Sequence, residues 1–202
     1  APNIIMTNNH CVPSSYFASG VKATFEYEKE KLNNPIKYFD CNKLLLSNTE
    51  LDFSLLECSN YPSGFQPPRP LTLSEIEISA DDDIYIIHQN CDYYLKYDCD
   101  YTKKYSSGKI TANNWRYTHN ADTLGGSSGS PMFYKNTNQV IGIHHAGYGN
   151  NGLGRGIENF AIPINKIVDY LKTHRGENSL IDTIFNNAEI SYEPNESFHT
   201  AY

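Results

Sequence analysis

No window of this chain approaches ~18 consecutive apolar residues, so no membrane-spanning helix is expected. Runs of positive charge are also missing. Lysines and arginines never exceed a pair in a row, and the net charge is −7 with a pI near 5.4, which argues against a nucleic-acid-binding surface. The N-terminus lacks the basic and apolar regions of a signal peptide, so any targeting segment is expected to have been removed or never to have belonged here. Cysteine and histidine spacings of a zinc site are absent as well. The adjacent His144 and His145 should point to opposite faces of a strand and cannot converge on one ion without a bulge, so neither a metal nor a cofactor is expected.

What is there allows a sizeable core. At 202 residues the chain can form one compact domain or two small ones sharing a cleft. Five cysteines leave at least one without a partner inside the chain. Cys91 and Cys99 flank a tyrosine-rich stretch and Cys41 and Cys58 flank an aspartate block, so both pairs allow local bridges. Five free thiols in a reducing compartment are the alternative.

The densest signal is Gly125 to Pro131, Gly-Gly-Ser-Ser-Gly-Ser-Pro. Small flexible residues around Ser128, closed by a proline, allow a tight turn that presents one hydroxyl among backbone amides. Gly/Ser clusters are usually plain loops, and a serine alkoxide is inaccessible at neutral pH. A nucleophile here therefore needs a histidine base, a carboxylate to hold that base, and amide donors for an oxyanion. Two other stretches supply the first two: Thr7-Asn8-Asn9-His10 after a short apolar run, and Leu51-Asp52-Phe53, with Asp52 at the head of another. Asp52 follows His10 by 42 residues, and Ser128 follows Asp52 by 76.

These blocks resemble chymotrypsin-fold serine proteases, whose triad runs His, Asp, Ser along the chain. The resemblance extends from about Ile4 to about Leu171 and is strongest to the glutamyl endopeptidase branch. Blocks of the form Thr-Asn-x-His, Gly-x-Ser-Gly-Ser-Pro and Gly-Ile-His recur there, matching Thr7 to His10, Gly126 to Pro131 and Gly142 to His144. The resemblance implies an all-β fold of two six-stranded antiparallel barrels with a C-terminal helix. It also places about two strands before the histidine turn that this chain does not contain. An incomplete first barrel would leave an open edge, so a missing or separately chained N-terminal piece is the expected partner. Cys11, directly after the histidine, would pair upstream in many relatives.

Carried onto this sequence, the resemblance makes Ser128 the nucleophile, His10 the general base and acid, and Asp52 the group that orients the imidazole. The amides of Gly126 and Ser128 form the oxyanion hole. Thr123 and His144 fall where the branch lines its P1 pocket, which implies cleavage after Glu or Gln. His145, Ala146 and Gly147 form the edge that pairs with substrate main chain. Asp122 is the alternative specificity residue, since a carboxylate six residues before the nucleophile favours Lys or Arg at P1. Ser127 stands where activated zymogens carry an aspartate, which argues against activation through a buried terminal ion pair. His88, His119, His174 and His199 carry no motif and read as structural or surface residues.

The domain reading is 1–61 for the first barrel, 62–80 for a proline-rich crossing, 81–174 for the second barrel with its helix, and 175–202 for a polar tail or linker. Strands are expected at Ile4 to Met6, Val21 to Tyr27, Tyr38 to Leu46, Leu51 to Cys58, Ile84 to His88, Tyr105 to Ile110, Met132 to Tyr134, Val140 to His144 and Phe160 to Ile164. Glu28 to Asn34 and Asn90 to Thr102 read as excursions, and Gly149 to Gly156 as a flexible rim. The expected function is a serine endopeptidase acting on polypeptide. A protease-like binding or regulatory module without turnover is the alternative from another class. A larger parent protein is compatible with both ends of the chain. The resemblance favours a secreted or periplasmic setting, and a regulated parent protein would favour an intracellular one.

Overall fold

The computed structural model describes residues 3–25, 27, 36–59, 61–64, 68–89, 103–149 and 157–186. The expected excursions at 28–34 and 90–102, Cys91, Cys99, His199 and most of the rim at 149–156 lie outside them.

The first half is an open sheet of four strands, β1 (Ile4–Thr7), β2 (Lys22–Ala23), β3 (Phe39–Asn48) and β4 (Phe53–Ser59), in the order β1-β4-β3-β2. A one-turn helix, α1 (Ser15–Ala18), follows the histidine turn. Two register shifts bend β3 against β4, which lets one strand serve both ends of the sheet. Below it Phe39, Leu56, Val12, Ala18 and the half-cystines Cys41 and Cys58 form a small core, and the Cys41–Cys58 disulfide ties β3 to β4.

The second half is a closed antiparallel barrel. Its strands are β5 (Asp83–His88), β6 (Lys104–Asn113), β7 (Tyr117–His119), β8 (Pro131–Tyr134), β9 (Val140–Tyr148) and β10 (Glu158–Pro163), in the order β10-β7-β6-β5-β8-β9. Inward-facing Ile84, Ile86, Ile110, Tyr117, Met132, Ile141 and Ala161 fill it, as alternation along the strands requires. Gly142 is small of necessity, because a Cβ there would lie 2.9 Å from Met132 Cε and 3.0 Å from the Ile162 carbonyl.

A third cluster joins the halves. Helix α2 (Ile164–Thr173) lays Ile164, Ile167, Val168 and Leu171 against Phe53 and Leu55 of β4 and against Phe133, Val140 and Ile143 of the barrel. Asp52 immediately precedes Phe53, so its carboxylate is held at the seam between the halves.

Two details differ from expectation. The strand over Val21 to Tyr27 shrinks to Lys22–Ala23, because among the described residues only these two pair with β3. Strand β7 is three residues in a polar stretch, too short to give a readable period. The stretch from Arg175, expected as a polar tail or linker, carries α3 (Ser179–Asn186). Its Ile181 is buried, with Ile184 and Phe185 packed on the joint core, and these apolar residues recur at helical spacing.

Candidate active site

The histidine turn is built on Asn8, whose carbonyl accepts the amides of Cys11 and Val12 and whose Nδ2 donates to the Asp52 carbonyl at 3.0 Å. Asp52 sits at φ 41, in the left-handed region that Asp tolerates better than most residues. Its carboxylate grips His10 twice: Oδ1 accepts the His10 backbone amide at 2.9 Å and Oδ2 lies 2.8 Å from Nδ1. An ionised carboxylate only accepts, so the Nδ1 proton is held there and Nε2 is left as the basic nitrogen. With the His10 side chain 49% exposed and Asp52 15%, the imidazole faces solvent while its partner is sheltered.

The serine loop is fixed by its own backbone and by β9. Ser127 donates its amide to the Leu124 carbonyl at 3.0 Å with Gly126 at φ 91 as third residue, the combination a type II turn demands. The Gly129 amide donates to the His144 carbonyl and the His144 amide to the Ser130 carbonyl, both at 2.9 Å. Gly129, at φ 85, lies so close to β1 that a Cβ would stand 2.6 Å from Thr7 Oγ1. The loop is thereby pressed against the strand that ends three residues before His10. Among the described residues no acceptor takes the Gly126 or Ser128 amide, which leaves both available. No hydrogen bond joins Ser128 to His10, a contact that often closes only when substrate binds. Thr7, Gly126, Ser128, Gly129 and Ser130 line an open cavity of about 370 Å³ together with Ile87, His88, Gln89 and Lys103.

His144 and His145 part company at a bulge in β9, where Ala161 opposes His144 and Phe160 opposes Ala146. His145 turns toward the seam, its Nδ1 3.3 Å from Asp52 Oδ2 and its Nε2 3.4 Å from an Arg116 Nη1. A guanidinium only donates, so Nε2 accepts and Nδ1 carries the proton toward Asp52. Burial pushes the His145 imidazole below its ordinary pKa; Asp52 opposes this, and Arg116 reinforces it. His145 is therefore a neutral donor to the same carboxylate oxygen as His10. Beyond Ile143 no strand pairs with β9 on its β8 side among the described residues, so His145, Ala146 and Gly147 form a free edge.

Thr123 and His144 are both buried, and they do not touch one another. Thr123 Oγ1 donates to Asn159 Oδ1 at 2.7 Å, while His144 Nδ1 lies 3.3 Å from His119 Nε2. Burial, reinforced by neighbouring imidazoles, pushes His144 down to about 3. Burial likewise pushes His119 down to about 4, a trend that the Ala121 backbone opposes without forming a hydrogen bond to Nδ1. Asp122 is exposed. Cys11 is exposed and unbridged.

The chain also holds a second arrangement of serine, histidine and carboxylate type. His88 Nδ1 lies 2.8 Å from Ser127 Oγ, and the Asp122 charge acts on the His88 imidazole. Residue-type reasoning missed this pair, together with His119, Asn159, Arg116 and the reach of His145 to Asp52. None carries a local motif.

A solved structure of similar fold is described as HtrA-type protease AlgW with tripeptide. It has a TM-score of 0.60 and 17% identity, and the match covers 87% of this chain and 53% of that one. The present chain thus spans about half the length of that protein. No curated protein matches it. The family model described as trypsin-like peptidase domain matches residues 1–143, taking in the histidine turn, the aspartate and the serine loop. More than half of the chain falls within that match, and the chain belongs to the trypsin-like peptidase domain family.

Proposed function

We propose that this chain is a serine endopeptidase with Ser128 as nucleophile, His10 as base and Asp52 as its orienting carboxylate. The observation that carries the reading is the grip of Asp52 on both the amide and Nδ1 of His10. It leaves Nε2 basic, exposed and beside the strand against which the serine loop is pressed.

In the acylation step, Ser128 Oγ attacks the scissile carbonyl and its proton passes to His10 Nε2. The oxyanion takes the amides of Gly126 and Ser128. The proton then goes from His10 to the leaving amine, and the C–N bond breaks to leave an acyl-serine. Water, deprotonated by His10, reverses the sequence and releases the acid. Substrate main chain adds to the free edge at His145 to Gly147.

For P1 the reading is Glu or Gln, supported by the neutral imidazole of His144 and the hydroxyl of Thr123 in the barrel wall beside the serine loop. The exposed carboxylate of Asp122 supports the alternative of Lys or Arg. The open edges of the first sheet suit a partner strand, supplied by an N-terminal segment or by a larger parent protein.

The His88–Ser127 pair supports a second catalytic reading, and access weighs against it. Ser127 is fully buried and His88 4% exposed, so no polypeptide carbonyl can reach Ser127 Oγ. A fluorophosphonate probe with peptide mapping, run beside a peptide-library cleavage profile, tests the whole scheme. The label is expected on Ser128, lost in Ser128→Ala and kept in Ser127→Ala, with cleavage after Glu that disappears in His144→Ala. Label on Ser127 would establish the second reading. An unlabelled folded protein would leave a binding module, and cleavage after Lys abolished by Asp122→Asn would reassign the pocket.

A further inference from the structure

The serine loop has an unusual weakness. Gly125, Gly126 and Gly129 carry no side chains, and glycine passes between positive and negative φ at little cost. Nothing in those residues holds the Gly126 peptide in the orientation an oxyanion requires. Ser127, the one residue between the available amides of Gly126 and Ser128, turns its side chain inward, where it is fully buried. Its Oγ accepts the Leu124 amide at 3.3 Å and lies 2.8 Å from His88 Nδ1, while His88 Nε2 lies 3.0 Å from Ser106 Oγ.

The hydrogens of this chain can be placed. Ser127 Oγ already accepts the Leu124 amide, so its own proton needs an acceptor in a site without solvent. His88 Nδ1 is that acceptor, and Nε2–H then donates to Ser106 Oγ. In the other tautomer Ser127 would accept twice and its hydroxyl proton would be buried without a partner, a cost of about 1–3 kcal/mol. The connected sequence runs from the Leu124 amide through Ser127 and His88 to Ser106, tying the turn to β5 and β6.

We propose that His88 is a positioning residue for the oxyanion turn, acting through Ser127 to hold the Gly126 and Ser128 amides toward the reacting carbonyl. This rests on Ser128 as the nucleophile. It gives a task to the buried pair that the proposed mechanism leaves unused, and it makes the barrel wall, rather than a terminal ion pair, the anchor of the turn.

The test uses the whole chain and the best peptide of its cleavage profile. Replacing His88 by Leu removes the acceptor at similar volume, and Ser127→Ala removes the donor. Each is expected to lower kcat about 10- to 100-fold, short of the about 10²–10³ lost with a whole oxyanion donor, and to change KM less than about threefold. The double variant should lose no more than either single, because both remove one link. His88→Asn, whose Oδ1 can accept the Ser127 proton, should restore most of kcat, and a purely structural role would not produce that rescue. Fluorophosphonate labelling of Ser128 in the unaltered protein keeps the outcomes apart. If it is absent, both the endopeptidase reading and this one fall. If it is present while kcat is unchanged in both single variants, or the two losses multiply, only the positioning role falls.

Discussion

The two halves of the molecule are stabilised by different means. The first is an open sheet over a core of half a dozen side chains, and it carries its disulfide inside that core, with Cys41 fully buried and Cys58 6% exposed. The second closes on itself through six strands, and an isoleucine-rich interior fills it. Closure leaves enough stability for the barrel to hide three imidazoles, His88, His119 and His144, that a marginal core could not carry neutral and desolvated. The open half keeps its histidine at the surface. That split suits the proposed roles, since a general base has to be reached by water and substrate. Asp52, on the open half but touching His145 of the barrel, is where the two meet.

The largest expected effect breaks that meeting point. Asp52→Asn should lower turnover by about 10⁴, because an amide can donate to His10 Nδ1 and so select the tautomer with its proton on Nε2. Burst kinetics on a cleaved peptide would measure it. A loss below tenfold would mean that His145 alone can orient the site.

Removing the staple from the open half comes next. Cys41→Ala with Cys58→Ala should cost about 3 kcal/mol in urea unfolding, the usual worth of a bridge closing a short loop. Hydrogen exchange should show residues 39–59 opening before the barrel. Equal opening in both halves would mean that the joint core under α2, not the disulfide, governs the sheet.

The smallest effect, ring by ring, concerns the barrel and acid. His119 and His144 are held well below the ordinary histidine value, at about 4 and about 3, chiefly by burial. The unfolded chain therefore takes up protons near pH 6.5 that the folded chain refuses. Each ring's contribution is complete above about pH 6.5 and is lost as pH falls toward that ring's folded value, on the order of 2 kcal/mol per ring by pH 5. Urea titrations at pH 7 and pH 5 would measure it, and His119→Gln should roughly halve the difference. A pH-independent barrel would mean that one of the rings is already protonated.

Much of this architecture was readable before any coordinates. Asp52 at the head of an apolar run and the strands Met132 to Tyr134 and Val140 to His144 follow from local pattern, because each is set by neighbours in sequence. Strand β7 did not, since Tyr117 to His119 is stabilised by β6 and β10 rather than by its own period. The stretch from Arg175 reads as a tail or linker by composition, and that Ile181, Ile184 and Phe185 of α3 pack on the joint core depends on elements far away in the chain. The opposite directions of His144 and His145 follow the alternation expected of neighbours on a strand, but their partners, His119 for one ring and Asp52 for the other, come from distant elements.

By itself the sequence determined the identities and order of His10, Asp52 and Ser128, the glycine turn around the serine, and the all-β class, because these depend on residue chemistry and short-range spacing. Tertiary structure decided which histidine keeps a free nitrogen at the surface and which serine is buried. It also decided that two imidazoles share one carboxylate oxygen. Burial and hydrogen-bond partners come from elements far apart in the chain, and only folding brings them within 3 to 4 Å of one another.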